Sequence, residues 1–265
     1  MIVCSHPGDH HVRALEAELN FTALPTAVNI LILLGAAGVI AVAGTKLAGL
    51  ADRLADRTGM GEAVTGALLL GASTSLSGMV TSVTTALDGA AQLAVSNAVG
   101  GITAQTVFLA VADFSHREVN LEHAAASAVN MVQGILLIGL LTLPLLVMQI
   151  PPWTVWGIHP VTPVMLAGYV LGMHVVATVK NQPMWQPRRT PETIEDTPEV
   201  DARQENLVRL CARFVWFGIL LGGSGFLVAR SGSALSAQTG LSQTAVGAYL
   251  MAVSTSLPEL VTAVA

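Results

Sequence analysis

The residue most able to do chemistry in this chain is Glu259, the only carboxylate well inside any long apolar stretch. Asp88, Asp113 and Glu62 fall near stretch ends, where water is available. A charge at the middle of a membrane helix costs about 2.5–3.5 kcal/mol on insertion scales and marks function by default. The competing explanation is a carboxyl held neutral, or paired to another helix for packing. Pro258 precedes Glu259. A proline cannot donate to the carbonyl four residues back, here Ser254, so a bend is predicted. A freed carbonyl in dry surroundings needs a partner, and a dehydrated cation supplies one. Thr255 lies one turn before Glu259 and shares its face, and Ser256 adds a second hydroxyl. Oxygen-only donors of this kind suit Na⁺ or Ca²⁺ rather than a soft metal.

A second set of oxygens lies earlier, at Ser73, Thr74, Ser75, Ser77, Thr81 and Ser82. Any one of these is as readily explained by a hydroxyl bonded back to its own helix. Beyond the tight Asp88–Gly89 connection, Asn97 brings an amide oxygen to mid-stretch beside Gly100 and Gly101, small residues that allow close helix approach. The two sets belong to one repeat. Residues 44–84 and 225–265 align without gaps at an offset of 181, with 15 of 41 positions identical. In the densest part, GALLLGASTSLSGMVTSV (66–83) against GAYLMAVSTSLPELVTAV (247–264), ten of 18 match. Chance matches of Ala, Leu or Val do not account for S-T-S-L joined to Thr81/Thr262, Gly44/Gly225, Gly59/Gly240 and Gly66/Gly247.

The elements that carry these residues are membrane helices. The chain has 265 residues, of which 52% are apolar and 11% charged. About 25% charged is ordinary for a soluble domain, and so few charges could not cover a soluble body. Net charge is −5, which gives no basis for nucleic-acid binding. Cys4 and Cys211 make neither a disulfide framework nor a zinc spacing. Seven stretches are long enough to span a bilayer, at about 27–45, 61–87, 91–113, 123–148, 160–180, 207–229 and 243–265. If the Pro- and charge-rich 182–205 loop is cytoplasmic, that side carries ten Lys/Arg, among them Lys46, Arg53, Arg57, Arg117, Arg188 and Arg209. The other side carries only Arg13 and Arg230, so the N-terminus is expected outside. The two repeat copies then start in spans 2 and 7, which run in opposite directions. Inverted repeats are a transporter signature, with the site near the midplane between the copies. The alternative is an old duplication kept in a scaffold that transports nothing. Cys4, His6, Asp9, His10 and His11 could gather a metal, but a frayed tail is the simpler expectation for residues 1–26.

At these residues the chain resembles the cation/calcium exchanger family, whose members carry two inverted alpha-repeats with the motif G-T-S-L-P-E followed by G-N-x-x-G-S-N on the next helix. The second copy reads S-T-S-L-P-E over 254–259. The first reads S-T-S-L-S-G over 73–78, followed by S-N-A-V-G-G-I over 96–102. The resemblance covers about 27–265. It implies cation ligands at Thr74, Ser75 and Asn97 and at Thr255, Ser256 and Glu259, with backbone carbonyls at Gly71 and Ala252. Two departures matter. Ser77-Gly78 stands where the first Pro-Glu is expected, so one of the two calcium-binding glutamates is absent. The family also continues for three further helices, so about seven of ten spans are expected here and the chain reads as a fragment.

The expected architecture is therefore an all-α polytopic membrane bundle with inverted repeats. An external tail (1–26) leads into a first half (27–181, alpha-repeat about 61–113). A cytoplasmic loop (182–206) joins it to a truncated second half (207–265). The expected activity is secondary cation antiport, Na⁺ or H⁺ against Ca²⁺, in the plasma (inner) membrane, with inorganic cations and the lipid bilayer as partners and no cofactor. The alternatives are a monovalent exchanger without calcium transport, or a membrane scaffold or sensor. An enzyme is not expected: His123 and His174 are far apart in sequence, neither has a nucleophile beside it, and His174 is expected to pack inside the bundle.

Overall fold

A computed structural model describes residues 20–58, 65–115, 120–147, 153–155, 158–181, 188, 190 and 206–264. The tail with Cys4 and its histidines and nearly all of the 182–206 loop lie outside the described residues. Among those described the regular structure is helical: α1 (Thr26–Thr58), α2 (Thr65–Thr74), α3 (Leu76–Leu87), α4 (Ala91–Ser115), α5 (Leu121–Ala124), α6 (Ala128–Val147), α7 (Val161–Asn181), α8 (Leu207–Thr239) and α9 (Gln243–Ala245). A π-helical stretch, Val246–Met251, then leads into α10 (Ala252–Thr255) and α11 (Leu257–Val264). The fold is an all-α polytopic membrane bundle.

Among the described residues, five helices are long and apolar enough to cross a bilayer: α1, α4, α6, α7 and α8. Within the other two expected spans, 61–87 and 243–265, the described residues 65–87 and 243–264 are helical but interrupted, at Ser75 and at Ser256. The ends of two spans also move. Hydropathy places them at 45 and 229, whereas α1 runs to Thr58 and α8 to Thr239. Hydropathy measures the apolar thickness and not the helix. Ala51–Thr58 (ADRLADRT) is charged, but it contains good helix formers and no Gly or Pro. At 33 residues each, both helices are about 50 Å long, well beyond a hydrocarbon core of about 30 Å. Both ends obey the repeat: 26 + 181 = 207 and 58 + 181 = 239.

The chain divides into two compact units, residues 1–54, 70–112 and 205–265 in one, and 55–69 and 113–204 in the other. In the first, Ala36, Ile40, Ala43 and Leu47 form one face of α1. They share a core with Leu93 of α4, Leu221 and Val228 of α8, and Val246 and Met251 of the π-helical stretch. Ser77, Thr81 and Thr85 are fully buried along one face of α3. Their hydroxyls are satisfied: Thr81 Oγ1 donates to the Gly225 carbonyl (2.8 Å), Ser77 Oγ to the Thr255 carbonyl (3.1 Å) and Thr85 Oγ1 to the Thr81 carbonyl (2.9 Å).

Two close approaches repeat the offset in space. A Cβ at Gly225 of α8 would stand 2.5 Å from the carbonyl oxygen of Ser77, and a Cβ at Gly44 of α1 would fall on the ring of Pro258. Gly44 and Gly225 are repeat equivalents, and so are Ser77 and Pro258. Each copy's long helix therefore packs on the other copy's broken helix at the same place, which is the reciprocity that a two-fold relation imposes on a contact. Glycine is required at both because backbone meets backbone or ring.

In the second unit, α6 packs on α7, with Leu136 and Leu140 of α6 over Gly172 and Gly168 of α7. Met131, Ile135, Ile138, Leu145 and Leu146 of α6 are each at least 60% exposed. An apolar surface of that extent suits lipid, not water. Asp113 Oδ1 accepts from the Leu121 amide (2.7 Å) at the start of α5. His174 is exposed on α7, not packed inside as expected.

Candidate functional site

Both repeat copies break at the same residue. Ser75 separates α2 from α3 with φ −79° and ψ −3°, and its equivalent Ser256 separates α10 from α11 with φ −98° and ψ 7°. Both lie near the bridge region between helix and extended backbone. The threonine before each serine bonds back in the same way. Thr74 Oγ1 donates to the Gly71 carbonyl at 3.2 Å, and Thr255 Oγ1 to the Ala252 carbonyl at 3.2 Å. The same two carbonyls also accept the amides of Ser75 and Ser256, each at 3.0 Å.

Beside the two breaks is a cavity of about 420 Å³, bounded by α3, α4, α10 and α11. Its polar lining is Ser75, Ser82, Asn97, Gln105, Thr255, Ser256 and Glu259, and Met79, Val83, Ala98 and Ile102 supply most of the apolar wall. Asn97 is 2% exposed, and its amide nitrogen is held on the α3 side by Ser82 Oγ (2.9 Å) and the Gly78 carbonyl (3.3 Å). That leaves Asn97 Oδ1 on the Thr255 side, where Thr255 Oγ1 lies at 3.5 Å. Gln105 Nε2 donates to Glu259 Oε1 at 3.3 Å. Glu259 Oε2 is buried without a hydrogen-bond partner. One carboxylate and no cationic side chain line the cavity, so an ionised Glu259 gives it a charge of −1.

The eight residues implied as cation ligands thus divide. Ser75, Asn97, Thr255, Ser256 and Glu259 meet at the cavity. Thr74, Gly71 and Ala252 do not line it and are engaged with one another's backbone or hydroxyl groups as described. Gln105 was not foreseen. Its signal was available: Asn97, Gly101 and Gln105 recur every four residues and so share one face of α4. Ser82 was foreseen only as one hydroxyl among several.

Asp88 is not a second carboxylate of this site. It ends α3, where Oδ2 accepts from Arg230 Nη1 at 2.9 Å. Both side chains are about a quarter exposed (26% and 25%). We expect Asp88→Asn to cost less than about 1 kcal/mol of stability and to leave cation flux at the wild-type rate. Thermal melting in detergent and vesicle flux check the two halves of that expectation.

Residues 28–179 and 210–265 match the family model described as sodium/calcium exchanger protein. No curated protein and no solved structure matches the chain.

Proposed function

The chain belongs to the sodium/calcium exchanger protein family, and from that premise we propose that it is a secondary-active antiporter exchanging Na⁺ or H⁺ for Ca²⁺ at the cavity between the two helix breaks. It is an integral membrane protein of a cation-transporting family, and the transported species are inorganic cations. The observation that carries the proposal is the buried, unpartnered Oε2 of Glu259 beside Thr255, Ser256 and Asn97. A buried carboxylate oxygen without a protein donor, on a residue that lines a cavity with hydroxyl and amide oxygens, supports a role as a cation ligand. Thr74, Gly71 and Ala252 then support the two break residues, Ser75 and Ser256, through the hydrogen bonds described. The ten-to-two distribution of Lys and Arg supports an external N-terminus, a cytoplasmic 182–206 loop and residence in the plasma (inner) membrane. No cofactor is part of this reading, and the chemistry is binding and release without catalysis.

The test is flux in vesicles containing the complete protein. An imposed Na⁺ or proton gradient should drive Ca²⁺ uptake against its own gradient. Uptake that ignores both gradients would overturn antiport.

A second reading keeps the fold and gives the exchanger monovalent ions alone. It is favoured by the single carboxylate. One negative charge balances Na⁺ or a proton but leaves Ca²⁺ with an excess charge in a poorly polarisable medium, and Ca²⁺ affinity follows ligand charge. Gly78 decides between them. A Cβ there would stand 3.7 Å from Thr255 Oγ1, an ordinary contact, so a longer side chain has room to enter the cavity. We expect Gly78→Glu to tighten Ca²⁺ binding by about tenfold or more. Calcium titration of wild type against the variant is the measurement, and equal affinities would defeat the charge argument.

A further inference from the structure

We infer that Gln105 is a positioning and specificity-determining residue of the cation site: its amide aims the Glu259 carboxylate and its neutrality keeps the cavity at one negative charge. The inference rests on the reading of the cavity as a transport site. Three observations carry it. Gln105 is the donor from outside its own helix that holds Glu259, at 3.3 Å to Oε1, while Oε2 is buried and bare. That bond restricts the orientation of the carboxylate, whose side chain lines the cavity. Second, Gln105 stands on the same face of α4 as Asn97, two turns along, and both line the cavity. The two amides have different anchors. Asn97 is tied to α3 through Ser82 and Gly78, whereas Gln105 is tied to the carboxylate itself. Third, the residue facing Glu259 from α4 sets the charge of the cavity, because no other ionisable side chain lines it. A glutamate at 105 would be nearly isosteric, would replace the donor by a second carboxylate, and would make an arrangement of two negative charges that one divalent cation balances and one Na⁺ does not.

The test uses the complete protein in vesicles, with Na⁺ and Ca²⁺ as the probes, and compares wild type, Gln105→Glu and Gln105→Leu. Gln105→Glu should lower the apparent KM for Ca²⁺ about tenfold and that for Na⁺ by less, because a second negative charge attracts a divalent cation more strongly than a monovalent one. Gln105→Leu removes the donor without adding charge, so it should raise KM for both ions about tenfold and leave their ratio unchanged. A residue that merely supported the fold would lower the amount of active protein, hence the maximal rate, and would leave both KM values, and their ratio in Gln105→Glu, where they are in wild type. Wild-type KM values for both ions in both variants would overturn this inference while leaving antiport standing. Failure of the wild-type protein to move either ion would overturn both.

Discussion

Glu259→Gln is expected to abolish cation flux while leaving the protein inserted and folded. The replacement keeps the shape of the side chain, and its amide oxygen still accepts from Gln105, as Oε1 does now at 3.3 Å. Removing a charge from mid-span can only ease insertion, since that charge costs about 2.5–3.5 kcal/mol there. What is lost is the attraction for the ion. At about 4 Å and an effective dielectric near 20, one charge pair is worth about 4 kcal/mol, or about three decades in affinity. No other ionisable group lines the cavity to supply it, and Asp88 is committed to Arg230. Flux in vesicles, with the amount of inserted protein measured alongside, is the readout. Wild-type rates in the variant would show that Glu259 serves packing alone.

The membrane class, the repeat and the identity of Glu259 were legible because each has a signal that survives without neighbours: composition, a fixed offset, and a charge where charges are rare. The five cavity residues named in advance were implied by the resemblance; the repeat singles out the two S-T-S-L segments, which carry Ser75, Thr255 and Ser256 and stand beside Glu259, while Asn97 lies outside the aligned copies. Helix ends were not legible from hydropathy. Charged ADRLADRT at the end of α1 and Ser/Gly-rich 230–239 in α8 read as connections, yet both are helical. In α8 the reason is burial: Ser231, Gly232, Ala234 and Leu235 are all buried, so tertiary packing overrides their modest propensity. The offset held the missing information, because a helix ending at Thr58 requires one ending at Thr239.

The sequence predicts one of the two helix breaks. Pro258 predicts the bend in the second copy, and a break is present there. The first copy breaks at the equivalent Ser75 with no proline near it. Proline therefore cannot be the shared cause. What the copies share is S-T-S-L and the threonine hydroxyl bonded three residues back, to Gly71 in one and Ala252 in the other. Hydroxyls bonded to the preceding turn are known to bend helices. In the second copy proline adds to a bend that the serines and threonine already specify. Gln105 was missed for a related reason: a glutamine on a helix face has no meaning until the residue opposite it is known.

Adjacent glycines on α4 separate folding from function. At Gly100 a Cβ would stand 2.6 Å from both the Cα and the carbonyl oxygen of Ala248, so backbone would have to move. The approach is mutual, since a Cβ at Gly247 would stand 2.8 Å from the Leu93 carbonyl and from Ser96 Cβ. At Gly101 the nearest atom to a Cβ is Ser256 Oγ at 3.5 Å, inside the cavity. Alanine gains about 1 kcal/mol of helix propensity at either position. At Gly100 overpacking against backbone costs about 1–3 kcal/mol or more and outweighs it. Gly100→Ala should therefore lower the melting temperature and push α4, with Asn97, away from Thr255. Gly101→Ala should melt at or slightly above wild type, and should instead raise the KM for the transported ion, because its methyl group occupies space beside Ser256. Melting in detergent together with flux in vesicles reads both. Equal melting temperatures for the two variants would mean that α4 and the π-helical stretch are not in close contact, and the placement of Asn97 beside Thr255 would fall with it.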